Sequence, residues 1–205
     1  MFSVVFLVST VRAPTSEVFL PYYIIGLTGR NAAGKGTVAT MLEKRSFEYH
    51  SLSDTLRNEL KKRGIDESRE ELTRVGNELR KSRGPGVLAD LMIDSITSPT
   101  NHIVDSVRNP FEVESLARKY EEHAFYLLSV DAKPEIRFQR LMERSRSGDS
   151  TTWKQFLSQE ALEENSDDPN KQQLFLTMAK ADFSIDNSGN LEDLERNIDN
   201  ILDKL

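Results

Sequence analysis

The segment Gly29-Arg30-Asn31-Ala32-Ala33-Gly34-Lys35-Gly36-Thr37 holds residue types and a spacing suited to binding phosphate. Gly29, Gly34 and Lys35 fill a Gly-x-x-x-x-Gly-Lys pattern. Glycines let the backbone wrap around a phosphate with its N–H groups pointing inward. The N-terminus of a following helix adds its positive dipole end, and the lysine reaches the β- and γ-oxygens of a nucleoside triphosphate. ATP is therefore the expected ligand of the whole segment Gly29 to Thr37. One competing pattern, Gly34-x-Gly36-x-x-Ala39 with Asp54 about 20 residues on, matches a dinucleotide fingerprint. It starts several residues too late to follow a strand, and it leaves Lys35 without a role.

The elements that must position this loop are legible around it. Tyr22 to Leu27 is an apolar run that reads as a buried parallel strand. A helix follows with Val38, Met41 and Leu42 on one face. Further strands are expected at Phe47–Ser51, His102–Asp105, Phe125–Val130 and Asp182–Ile185. Polar helices are expected at Asp54–Lys62 and Ser68–Arg83, then Val87–Ile96 after the break Gly84-Pro85-Gly86. Asn109, Pro110 and Glu112 carry the marks of a capped helix start. Helices are also read at Pro134–Arg144 and along Leu191, Leu194, Ile198, Ile201 and Leu205. Strands alternate with helices, which implies an α/β fold with a five-stranded parallel sheet covered on both faces. The polar helical stretch 53–98 exceeds the needs of a crossover and reads as an inserted subdomain. The stretch 145–168 reads as a second, smaller insertion.

Composition narrows the function. The chain has 205 residues, enough for one domain of 22–205 behind an extension at 1–21. Lys plus Arg is 27 and Asp plus Glu is 33, a net charge of −6. That balance disfavours a broad nucleic-acid surface but allows a local basic pocket. The absence of cysteine excludes disulfide scaffolds, iron–sulfur clusters, thiolate zinc sites and cysteine nucleophiles. It suits a cytoplasmic setting. His50, His102 and His123 show no metal-ligand spacing along the chain. No stretch approaches the roughly 20 apolar residues of a membrane span. Phe2–Val8 is apolar but lacks a basic region in front, and Val11-Arg12-Ala13 only weakly imitates a cleavage site.

The Gly34-Lys35-Gly36-Thr37 form resembles the phosphate loop of adenylate kinase and its nucleoside monophosphate kinase relatives. Ile24 to Ala39 otherwise resembles the opening of dephospho-coenzyme A kinase, which has Ser after the lysine where this chain has Gly36. The resemblance runs from Tyr22 onward. Ser53-Asp54-Thr55-Leu56-Arg57 stands where the monophosphate kinases carry Gly-Asp-x-Leu-Arg. Asp105-Ser106-Val107-Arg108 is similar to their Asp-Gly-x-Pro-Arg segment, one residue shorter. Arg140 and Arg144 match the Arg-x-x-x-Arg spacing that enters their lid. Asp182 to Leu194 is similar to the base-binding turn and last helix of dephospho-coenzyme A kinase. The resemblance implies a three-layer P-loop NTPase fold and Mg²⁺ held largely through water.

Phosphoryl transfer needs positioning and positive charge more than covalent chemistry. Lys35 is assigned to the donor. The resemblance gives Arg57 a grip on the acceptor's anionic group; without it, Arg57 reads as a solvated arginine. Arg108 follows the third strand at the crevice outside the carboxyl ends, with an ion pair to Glu112 or Glu114 as its bland alternative. Arg137, Arg140 and Arg144 share a helix face that leads into the hinge Ser145-Arg146-Ser147-Gly148-Asp149. Arg140 and Arg144 are the favoured lid cations. Asp105 and Thr37 are the expected Mg²⁺ groups. Asp54 has three readings: helix cap with Ser53, orienter of magnesium waters, or general base. Arg80 reads by default as a surface arginine, and Trp153 with Phe156 as packing for a small lid. The expected activity is transfer of the γ-phosphoryl group of ATP to a (deoxy)nucleoside monophosphate or similar small acceptor. A hydroxyl kinase of the dephospho-coenzyme A kinase type and a non-catalytic nucleotide-binding regulator are the alternatives. Residues 147–166 contain no arginine, where lid kinases usually supply a further one. The expected partner is a small nucleotide, with no nucleic acid or membrane, on a monomer or homodimer.

Overall fold

The computed structural model describes residues 22–120, 124–145, 149–164 and 166–205. The expected extension 1–21, His123 and Arg146 lie outside the described residues. Five strands are present: β1 (Tyr23–Thr28), β2 (Phe47–Ser51), β3 (Asn101–Asp105), β4 (Ala124–Asp131) and β5 (Phe183–Asp186). They form one sheet in the order β2-β3-β1-β4-β5, and every pairing is parallel. β1 lies at the centre and is buried over its last five positions, which is why it reads as an unbroken apolar run.

Successive residues of β1 point to opposite faces and nucleate two cores. On one face, Ile24 joins Val104 and Leu127. Over them pack α2 (Leu52–Arg63), α3 (Arg69–Arg83), α4 (Val87–Ile93) and α5 (Pro110–Lys119), through side chains such as Leu56, Leu60, Leu79, Leu88 and Leu116. On the other face, Ile25 and Leu27 join Ile103, Leu128 and Val130. These meet Val38 and Leu42 of α1 (Lys35–Glu43) and Leu194, Ile198 and Ile201 of α9 (Leu191–Leu202). Helix, sheet and helix layers result, the three-layer α/β fold of P-loop NTPases.

Local chemistry sets the helix starts. The Asn109 side chain accepts the Phe111 N–H at 2.9 Å, Glu112 completes the capping box, and Pro110 takes the first turn. Ser68 caps α3 and Asn190 caps α9. The expected cap of α2 is corrected. Ser51, the last residue of β2, accepts the Ser53 N–H at 3.2 Å, so Ser53 and Asp54 already lie in the first turn. In the chain, α2, α3 and α4 lie between β2 and β3.

The described part of the stretch 145–168 carries α7 (Trp153–Glu164), which packs back on α6 (Pro134–Arg144). Phe156 is buried against Phe138, with ring centroids 5.6 Å apart, and Trp153 stacks at its side. A short helix, α8 (Leu174–Met178), was not expected. It spans little more than one turn and leaves Phe175 and Leu176 exposed, so it has no apolar stripe to reveal it. No described helix is long and apolar enough to cross a membrane.

Candidate active site

The carboxyl ends of β1, β2 and β3 bring Thr28, Ser51 and Asp105 to one edge of the sheet. The loops that follow build the site there, at the crevice where the strand order reverses. The loop after β1 turns under strict geometric limits. Gly29 has φ 135°, and a Cβ on it would meet the carbonyl oxygen of Val130 at 1.9 Å. Gly34 has φ 102°, and a Cβ there would meet Asn187 Nδ2 at 2.1 Å. Both positions need glycine, for conformation and for space.

Gly34 leads directly into α1, whose N-terminus has no side-chain cap and no acid in its first turn. Its N–H groups and dipole therefore face a cavity of about 760 Å³, lined by Asn31, Ala32 and Gly34 to Thr37 among others. Lys35 Nζ donates to the carbonyls of Gly29 at 2.7 Å and Arg30 at 2.9 Å. Three residues expected to touch ATP do not line this cavity. Gly29 packs against β4, Arg30 turns away to pair with Asp131, and Ala33 is fully buried. They shape the loop rather than face the ligand space.

Two side chains hold the loop from behind. Asn187 Nδ2 donates to the Ala33 carbonyl at 2.8 Å. Arg140 donates to the same carbonyl at 3.3 Å and to Asn187 O at 2.9 Å, while still lining the cavity. The turn after β5 thus buttresses the phosphate loop. The sequence marked that turn, but nothing in it singled out Asn187.

A second cavity of about 500 Å³ adjoins the first and reaches between α2, α3 and the 149–172 region. Asn31, Ser53, Arg57, Arg108 and Arg144 line both cavities. Arg57 is held by Asp54 at 2.6 Å and Glu67 at 2.9 Å; Glu67, then Asp54, raise its pKa above the ordinary value. Arg144 makes a two-pronged pair with Asp149, both contacts at 2.7 Å, and reaches Asn31 Oδ1 at 3.0 Å. The Arg108 guanidinium has no hydrogen-bond or ion-pair partner among the described residues. Its two anticipated partners are engaged elsewhere: Glu112 with Arg80 and Glu114 with Lys180.

Asp105 lines the first cavity, as Thr37 does. Its Oδ2 accepts from the Tyr49 hydroxyl at 3.1 Å and its Oδ1 from the Ser106 N–H at 2.6 Å. Burial, and then the Asp105 charge, push the Tyr49 hydroxyl to about 12, so it stays a donor. Tyr49 was not foreseen, because nothing in its own short strand links it to Asp105, which arrives from β3.

Three placements differ from expectation. Asp54 is half-exposed on α2, turned to Arg57, and lines neither cavity. Arg137 does not face the site with Arg140 and Arg144. It is buried, pairs with Glu160 and lies 5.3 Å from the Phe156 ring centroid, fastening α7 to α6. Arg80 is no surface arginine: it is buried against Glu112.

The sheet order, the loop and the uncapped helix behind it define a P-loop protein. A family model described as an AAA domain matches residues 25–168, most of the chain, and the chain belongs to that family. Curated relatives are UPF0200 proteins. That of Pyrococcus horikoshii is 31% identical over 190 residues, covering 89% of this chain and 97% of its own. That of Pyrococcus furiosus is 32% identical over 183 residues, covering 87% and 95%. Among solved structures, TT1252 of Thermus thermophilus matches with a TM-score of 0.52 at 22% identity, covering 91% of this chain and 99% of that one. The Mycobacterium tuberculosis APS kinase CysC, in complex with AMPPNP and APS, matches with a TM-score of 0.50 at 14% identity, covering 89% and 98%. At these identities the structures share the fold.

Proposed function

We propose that this protein is a kinase that transfers the γ-phosphoryl group of ATP to a (deoxy)nucleoside monophosphate or a similar small anionic acceptor. The observation that carries this reading is the seam between the two cavities. Arg57, Arg108 and Arg144 converge there, and the Arg108 guanidinium has no protein partner among the described residues. Three guanidinium groups beside a phosphate loop match the charge of a phosphoryl group passing between two anions.

The loop fits ATP on its own geometry: an uncapped helix N-terminus, Lys35, and a backbone turned by positive φ at Gly29, Ala32 and Gly34. Asp105 and Thr37 would hold Mg²⁺ or its waters, since both face the first cavity and Gly36 offers no hydroxyl. Mg²⁺·ATP supplies the transferable group and neutralises phosphate charge. Lys35 then exchanges its two carbonyl acceptors for phosphate oxygens. Arg108 binds the acceptor's anionic group. Arg57 supports it, with Asp54 and Glu67 fixing the direction of its fork. Arg144 and Arg140 neutralise the transferring group from the α6 side. Asp54 serves as a positioning residue for Arg57 rather than as a base. A phosphate acceptor, already ionised near pH 7, needs no base.

A panel of nucleoside monophosphates, nucleosides and dephospho-coenzyme A, assayed with Mg²⁺ and ATP, tests the reading. Turnover is expected with one or more monophosphates. Turnover only with hydroxyl acceptors, or nucleotide binding with no turnover on any, overturns it.

A further inference from the structure

We propose that Glu48, His50 and His102 form a binding site for a divalent first-row transition-metal ion of the zinc class, on the outer edge of the sheet. The residues are scattered in sequence, and the parallel pairing of β2 and β3 gathers them. Glu48 stands beside His102 in register, and His50 follows Glu48 by two on the same face of the strand. Tyr49, between them, points to the opposite face, toward Asp105. The site is therefore separate from the phosphate loop and its magnesium groups.

The donor atoms already converge. His50 Nε2 lies 3.2 Å from His102 Nδ1, and the Glu48 carboxylate lies 3.8 Å from the first and 3.9 Å from the second. A tetrahedral ion with bonds of about 2.0–2.1 Å spaces its ligand atoms by about 3.3 Å. Small rotations of the exposed Glu48 side chain suffice to close the set.

The ring nitrogen of His102 that faces away from the site lies 2.9 Å from the Ser98 carbonyl. A carbonyl only accepts, so this Nε2 carries the proton and Nδ1 presents its lone pair to the site. Fixing a ligand's tautomer through its second nitrogen is the usual outer support of a metal-bound histidine. Ser98 also donates its hydroxyl to Glu48, so the loop before β3 steadies two of the three ligands.

Without metal, His50 Nε2 carries a proton and donates it to His102 Nδ1. With metal, the neutral His50 ring carries its one proton on Nδ1 and offers Nε2. Two imidazoles and one carboxylate suit zinc, nickel or copper rather than magnesium or calcium. Glu48 opens to solvent, so a water or small anion completes the coordination. An ion there would clamp the edge strand β2 to β3.

The test uses the untagged full chain in excess Mg²⁺, titrated with Co²⁺ and Zn²⁺. Saturable visible absorption of tetrahedral Co²⁺, its displacement by Zn²⁺, and a higher unfolding midpoint with Zn²⁺ are expected. His50→Gln and Glu48→Gln each should weaken Zn²⁺ binding at least about tenfold and remove the rise in midpoint. Both side chains reach solvent, so these variants are expected to fold; the fully buried His102 is left intact. No tetrahedral spectrum, or unchanged Zn²⁺ affinity in both variants, overturns the proposal.

Discussion

Arg80 Nη2 donates to Glu112 Oε1 at 2.8 Å, inside the molecule. The other oxygen of Glu112 accepts the backbone N–H groups of Arg108 at 2.9 Å and Asn109 at 3.1 Å. The two side chains are 4% and 0% exposed. A charge pair buried so fully contributes little net stability by itself. Here it ties α3, in the helical insertion, to the turn after β3 that carries Arg108. It also occupies the carboxylate that would otherwise capture the Arg108 guanidinium.

Removing one partner strands the other in a dry site. Arg80→Ala should cost about 3–5 kcal/mol, lowering the unfolding midpoint by roughly 6–20 °C. Glu112→Gln keeps an oxygen for the Arg108 and Asn109 N–H groups but turns an amide NH2 toward the Arg80 guanidinium and leaves that charge unpaired, so it should cost about as much. Thermal unfolding of both variants checks this. An Arg80→Ala protein as stable as the parent would mean that water reaches Glu112.

Lys35→Ala should leave the fold intact, because Lys35 lines a cavity and its bonds to the Gly29 and Arg30 carbonyls stay within the loop. Phosphoryl transfer should fall by at least about 10²–10³-fold, the loss expected when one preorganised donor to developing charge is removed. Circular dichroism and steady-state rates measured on the same preparation decide this. Full activity in this variant would remove the phosphate-loop reading.

The legible parts of this protein are those written locally. The strand–loop–helix around Lys35, the capping box of Asn109 and Glu112, and the stripe of Leu194, Ile198 and Ile201 each depend on neighbours in sequence. The partnerships that decide roles are not local. Arg80 and Arg137 look like solvated helix arginines until Glu112 and Glu160 arrive from other elements to cover them. His50 and His102 are far apart in sequence and meet only through strand pairing. Asp54 carries a suggestive position in sequence, yet its helix turns it outward because capping falls to Ser51, one turn earlier than expected.

Arg108→Ala should act on the acceptor alone. The acceptor's kcat/KM should fall about 30- to 150-fold, the equivalent of about 2–3 kcal/mol for one ionic contact. Nucleotide affinity and unfolding midpoint should barely change, since the guanidinium holds nothing else among the described residues. Loss of nucleotide affinity with acceptor affinity retained would show that the two cavities are assigned backwards.

Gly34→Ala should abolish nucleotide binding for two separable reasons. The new Cβ meets Asn187 Nδ2 at 2.1 Å, and φ of 102° is strained for any residue with a Cβ. Pairing it with Asn187→Ala removes the clash and leaves the strain, so only part of the affinity should return. Asn187→Ala alone should weaken binding moderately by releasing the Ala33 carbonyl. Calorimetric titration of ATP into the three variants distinguishes the terms, and complete rescue in the double variant would make the clash the whole cause.

Asp54→Asn decides whether the carboxylate serves Arg57 or the chemistry. An Asn side chain still offers an oxygen to the Arg57 guanidinium but loses the charge of a 2.6 Å pair. If Asp54 only aims Arg57, acceptor KM should rise a few-fold with kcat nearly unchanged, because Glu67 still holds the other side of the fork at 2.9 Å. Asp54→Asn combined with Arg57→Ala should then be no worse than Arg57→Ala alone, since a positioning residue has nothing left to position. A general base would behave differently. Its loss lowers kcat by about 10²–10⁴-fold and adds to the Arg57 defect. That result would move Asp54 into the chemistry, redirect the acceptor search to hydroxyl compounds, and require α2 to turn Asp54 into the cleft when substrate binds.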